Sequence, residues 1–111
     1  MASTEVSAKV ADLEKAYAIP ADAYELIICF NYLQRSLFSA IREGVKPGGM
    51  VVYETFIVDQ AMFGKPKNPD HLLTHNELLH KFLDFRILRY HEGIMGHNRA
   101  VAGVIAQRPS V

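Results

Sequence analysis

The chain has 111 residues, half of them hydrophobic, and 12 Lys+Arg balance 12 Asp+Glu, so the formal net charge is zero. That length suits one domain with a modest core. The balanced charge, with no basic run, gives no electrostatic footprint for nucleic acid; the longest apolar run is too short to span a bilayer; and the single cysteine, Cys29, has no internal disulfide partner.

Residues 1–17 lack the apolar segment of a secretory signal, so a cytoplasmic protein is expected. Residues 8–13 (AKVADL) are a weak strand candidate. Ile19-Pro20-Ala21-Asp22 is a turn signature. Residues 25–33 then hold seven apolar residues out of nine, without alternation. That pattern belongs to a strand covered on both faces, as in parallel sheets. Residues 37–45 place Leu37, Ile41 and Val45 at helical spacing, with Arg42 and Glu43 turned away. Pro47 stops the helix, because it has no N–H and restricts Lys46 before it. Gly48 and Gly49 permit a sharp reversal into a second buried strand at 50–56. The order and length are those of a right-handed βαβ crossover, which makes the two strands parallel neighbours.

Residues 57–61 either continue that strand or begin a short helix. Residues 63–70 (FGKPKNPD) form a loop of the kind that lies over a surface or a site. Asn76 suits the N-cap of a helix at 77–82, with Leu78, Leu79, Phe82 and Leu83 on its inner side. Residues 85–92 (FRILRYHE) alternate, with Phe85, Ile87 and in one reading Arg89 on one face, and Arg86, Leu88 and Tyr90 on the other. Gly93 and Gly96 fit a hairpin connection, residues 100–107 are a last apolar strand, and Pro109 ends it. The final pair is an antiparallel hairpin closing one edge of the sheet.

Three stretches in this order carry a resemblance. Tyr24-Glu25-Leu26-Ile27 before a helix, Val45-Lys46-Pro47-Gly48-Gly49 leading into a strand, and the closing hairpin resemble the second half of a class I S-adenosylmethionine-dependent methyltransferase. Glu25 stands where that family's strand has Asp. Val10-Ala11-Asp12-Leu13-Glu14 is similar to the family's acidic position after its third strand. The resemblance spans residues 6–108, roughly half of a complete family member. It implies an α/β fold: a truncated Rossmann-like methyltransferase sheet of parallel strands with an antiparallel C-terminal pair, lacking the first βαβ half.

The resemblance also implies S-adenosylmethionine as cofactor. Asp12 would accept from the adenine amine and the Leu13 N–H would donate to the ring. Phe30 and Asn31 stand at the carboxyl end of the first strand, where such sheets present ligands. Tyr32 and Arg35 follow on the substrate side, Arg35 with a planar fork suited to an anion. Glu54 would point to the substrate pocket as the general base. Each residue also has a plainer reading: Asp12 as a surface turn residue, Asn31 as a helix cap, Tyr32 as core, Arg35 as the partner of a surface carboxylate, and Glu54 as a solvated strand exit.

The departures from the family are as informative. No G-x-G-x-G or G-x-G-x-x-G occurs; Gly44, Gly48 and Gly49 precede a strand instead of following one. One wall of the ligand crevice is present and the other is absent. The strand at 25–33 thereby becomes an apolar edge, which is a pairing hazard. The N-terminal segment, a second copy or another polypeptide could cover it, and a homodimer, through that edge or by strand exchange, is the leading expectation.

No metal site is expected. His71 and His75 are four apart, but the helix starts only after His75 and no third ligand has standard spacing. His91 and His97 flank the hairpin turn and are expected to be solvated. Two classes of function follow: a methyl-transfer catalyst completed by a partner half, working by positioning and a timed base, or a non-catalytic dimeric binding or regulatory module. Catalysis by the isolated chain is not expected.

Overall fold

The computed structural model describes residues 19–110. The strand expected at 8–13, and with it Asp12 and Leu13, lies outside the described residues. The elements run β1 (Tyr24–Phe30), α1 (Leu37–Gly44), β2 (Val45–Phe56), α2 (Glu77–Lys81), β3 (Arg86–Met95) and β4 (Arg99–Gln107). Short 3-10 helices at Val58–Met62 and Pro69–His71 occupy the connection after β2. The sheet order is β1-β2-β4-β3. β1 and β2 are parallel, with α1 as their crossover, and the two C-terminal strands add antiparallel, β4 inside and β3 at the edge.

The fold is the expected α/β sheet, with parallel strands first and an antiparallel pair last. Its local departures have physical causes. β1 ends at Phe30 instead of 33 because Asn31 adopts a left-handed backbone (φ 58). The Lys46–Gly49 reversal does not separate helix from strand. Val45 opposes Tyr24 and Met50 opposes Leu26, so the segment is a bulge inside β2. It is pinned by Gly48 N–H to the Arg108 carbonyl and by Arg108 N–H to the Gly49 carbonyl, both 2.9 Å. The Arg108 guanidinium adds bonds to Asp22 Oδ1 (2.7 Å) and the Val45 carbonyl (2.6 Å).

α2 starts without the expected cap. Asn76 is left-handed (φ 66) and its side chain makes no capping bond. The Glu77 carboxylate closes the turn instead, accepting from Thr74 N–H (2.9 Å) and Thr74 Oγ1 (3.2 Å). Because the helix ends at Lys81, Leu83 lies beyond it and is 57% exposed, whereas Leu78 and Phe82 are fully buried.

A second bulge changes β3. Ile87 opposes Ala106 but Arg89 opposes Ile105, so Leu88 is the extra residue. Arg89 and Tyr90 therefore exchange the faces that simple alternation assigns them, and Tyr90 packs against the core.

That core lies on one face of the sheet. Ile27, Cys29, Val51, Tyr53, Ala102 and Val104 pack there against Phe38 and Ile41 of α1 and against Leu78, Phe82 and Phe85. The aromatic rings interlock, with Phe38–Tyr53 centroids 5.3 Å apart and Phe82–Phe85 5.5 Å apart. Strand alternation sends Leu26, Ile28, Phe30, Met50, Val52 and Ile105 to the opposite face, where each keeps part of its surface in solvent.

Candidate functional site

The carboxyl ends of β1 and β2 open into a crevice of about 370 Å³ lined by Asn31, Tyr32, Leu33, Thr55, Phe56, Pro66 and His71. The end of an open α/β sheet is where ligands bind. The left-handed turn at Asn31 builds this end, and Asn31 N–H donates to the Glu54 carbonyl at 2.9 Å. The buried Tyr53 hydroxyl donates to the Tyr32 carbonyl at 2.6 Å, and burial pushes its pKa upward, so it stays a donor. The Tyr32 hydroxyl donates to Gln34 Oε1 at 2.7 Å.

The 63–70 loop forms the crevice's outer wall, through Pro66. Gln60, 6% exposed, holds it: its Oε1 accepts from Ala100 N–H (2.7 Å) and its Nε2 donates to the Lys65 and Asn98 carbonyls, both at 3.3 Å. Nothing in the sequence singles out Gln60; a polar residue in a 3-10 turn is normally exposed.

Glu54, Asn31, Arg99 and His91 come together beside this crevice. His91 Nε2 lies 3.0 Å from Glu54 Oε1, Arg99 donates to Glu54 Oε2 at 3.1 Å, and its other terminal nitrogen donates to Asn31 Oδ1 at 3.2 Å. The Arg99 guanidinium also sits 5.6 Å from the Phe56 ring centroid. Both Glu54 oxygens are thus engaged, and its side chain is only 20% exposed. His91 does not sit at the hairpin turn. It is a β3 residue opposite Gly103, itself opposite Glu54. Sequence spacing could not find it, because 37 residues separate it from Glu54.

Arg35 is used within the chain. It donates to Glu77 Oε2 (2.6 Å) and Oε1 (2.9 Å) and to the Leu72 carbonyl (2.8 Å). This two-pronged pair, with the Thr74 bonds, holds the Glu77 pKa down at about 2. Among the described residues no group of three or more His, Cys, Asp or Glu side chains is placed to hold a metal ion. His75 lies 2.5 Å from Asp59, which raises its pKa, and His80 Nδ1 lies 3.0 Å from the Asn76 carbonyl.

S-adenosylmethionine is the cofactor that the sequence resemblance implies. The cofactor's adenine amine and ribose hydroxyls need acceptors, yet among the described residues no carboxylate lines the crevice. The described residues offer Asn31, the Thr55 hydroxyl and backbone carbonyls on one side only. They do not by themselves fit the whole cofactor.

No protein-family model and no curated protein sequence matches the chain. Solved structures do match. An S-adenosylmethionine-dependent methyltransferase from Mesorhizobium loti superposes with a TM-score of 0.62 at 18% identity, over 88% of this chain and 67% of that one. A SAM-dependent methyltransferase from Methanosarcina mazei gives 0.59 at 15% identity, over 91% and 66%. The [4+2]-cyclase SpnF gives 0.62 at 14% identity, over 86% of this chain but 53% of its own. This chain thus spans about half to two thirds of these neighbours, and its fold is that of part of a Rossmann-like methyltransferase sheet.

Proposed function

We propose that the chain supplies one half of an S-adenosylmethionine-dependent methyltransferase site and that the isolated chain is not catalytic. The observation that carries this reading is the position of β1. It is a parallel strand at the edge of the described sheet, and Phe30 at its carboxyl end is 50% exposed. Parallel strands are ordinarily flanked and covered on both sides. A second copy of the chain, pairing through the β1 edge, is the favoured completion; another polypeptide is the alternative.

In the completed site Phe30 and Asn31 would face the cofactor; Asp12 and Leu13, outside the described residues, are the adenine-side candidates. Tyr32 would stand towards the methyl acceptor, and Arg35 would reach it only by giving up its bonds to Glu77 and the Leu72 carbonyl. Glu54, buffered by Arg99 and His91, takes the acceptor's proton. S-adenosylmethionine, if the completed site binds it, would supply the methyl group, and the chain's own task would be orientation and proton removal. Among the described residues no helix is long and apolar enough to cross a membrane.

A second reading is a non-catalytic dimeric binding or regulatory module. The engagement of both Glu54 oxygens within the chain favours it. Calorimetric titration of S-adenosylmethionine and S-adenosylhomocysteine, with the mass measured by light scattering in the same buffer, separates the two. Saturable binding by a dimer supports the half-site. A dimer that ignores both ligands at millimolar concentration supports the module, and a monomer that ignores them overturns both.

A further inference from the structure

We propose that the open face of the described sheet carries a binding site for a small aryl carboxylate, which shares Phe30 and Glu54 with the proposed methyl-transfer site but whose binding needs no methyl transfer. Strand register assembles it. Phe30, Glu54, Gly103 and His91 stand side by side across all four strands, and Ile28, Val52, Ile105 and Arg89 form the adjacent row. Gly103 has no side chain in the middle of this face, so a cleft of about 190 Å³ opens above it between Phe30, Val52, Ile105, His91 and Arg89. A cavity of about 150 Å³ accommodates a benzene ring, so this cleft has room for one ring.

The walls assign the rest of the ligand. Val52, Ile105 and the half-exposed Phe30 present apolar surface and a ring face. Glu54 is already engaged by His91 and Arg99. Arg89, which the Leu88 bulge places on this face, makes no ion pair or hydrogen bond among the described residues. Arg99 is spent on Glu54, so Arg89 is the cation that the cleft leaves over. A planar guanidinium with no partner among the described residues, at the mouth of an apolar cleft, matches a carboxylate attached to a ring. The site is built rather than incidental: a Cβ on residue 103 would lie 2.3 Å from His91 Cε1, so glycine is what lets the imidazole lie across the sheet as the cleft's wall.

The test is an amide NMR titration of the whole chain with sodium benzoate at low salt, up to concentrations on the order of 10 mM, with benzamide as the neutral isostere. Saturable shifts centred on Gly103, Ile105 and Arg89 are expected, with benzamide at least about tenfold weaker, the scale of one charged contact. Arg89→Gln, a change at an exposed side chain, should bring benzoate down to benzamide's level. Val52→Trp should fill the cleft and abolish both. Equal binding of the two ligands, shifts centred elsewhere, an Arg89→Gln protein that still prefers benzoate, or no saturation because another part of the chain covers the face would each overturn the proposal. S-adenosylmethionine binding is not needed for any of these readouts, so the site stands or falls separately from the methyltransferase reading.

Discussion

Glu77 is the residue whose ionisation the fold uses most directly. Arg35 and Thr74 stabilise its charged form, and its folded pKa of about 2 lies below the 4.5 of a free side chain. A depressed carboxylate pKa contributes stability above the unfolded value and loses it as pH falls through the folded one. The window is therefore about pH 5 to pH 2. Arg35 is 38% exposed, so solvent screens the pair and its contribution is about 1–2 kcal/mol. Urea denaturation should show Glu77→Gln less stable by that amount at pH 7 and with a flatter acid limb; an unchanged acid limb would place the loss elsewhere. Tyr53→Phe should cost about 1 kcal/mol by removing the 2.6 Å bond to the Tyr32 carbonyl. In an ultraviolet pH titration Tyr53 should ionise well above an ordinary tyrosine, because burial disfavours its phenolate.

Two glycines separate effects on elements from effects on the site. In the β2 bulge, a Cβ on Gly49 would lie 2.9 Å from both the Glu25 and Lys46 carbonyl oxygens. Neither backbone atom can yield without breaking the β1–β2 register, so Gly49→Ala should cost about 2 kcal/mol or more in thermal or urea unfolding. At Gly103 the nearest atoms are the far end of the His91 ring, 2.3 and 2.7 Å away. The ring can swing aside, so Gly103→Ala should cost less than about 1.5 kcal/mol and break the Glu54–His91 bond. Loss of the His91 imidazole N–H signal, with the fold intact, is the expected NMR result. A Gly103→Ala chain less stable than Gly49→Ala would reverse this assignment of rigid and yielding neighbours.

For the whole molecule, the proposed completion makes self-association depend on the β1 edge. If copies pair there, Phe30→Lys puts a charge where edges are normally defended by one. Light scattering should show at least about tenfold weaker self-association, with unfolding free energy changed by no more than about 0.5 kcal/mol. Undiminished association of Phe30→Lys would move the interface away from this edge. The fold does not choose the chemistry: methyltransferases and a [4+2]-cyclase share it, so activity rests on the groups at the ends and faces of the strands.

The sequence by itself determined the order of elements and the parallel pairing of the first two strands. Continuous apolar runs, one helical stripe, Pro47 and the closing hairpin are local signals, each readable within about a dozen residues. It also marked Asn31 and Glu54, since a strand's carboxyl end follows from its direction. Tertiary structure decided what depends on a partner. Both bulges are mismatches between two strands, so neither Lys46–Gly49 nor Leu88 reveals them alone, and the Leu88 bulge sets which face Arg89 shares with His91. Asn76 is the better capping residue by type, yet Glu77 closes the turn because Arg35, 42 residues away, holds its carboxylate. The Glu54–His91–Arg99 array joins residues 37 and 45 positions apart. Backbone preferences act between neighbours in the chain, whereas salt bridges, register and cavities exist only once the sheet has brought distant segments into contact.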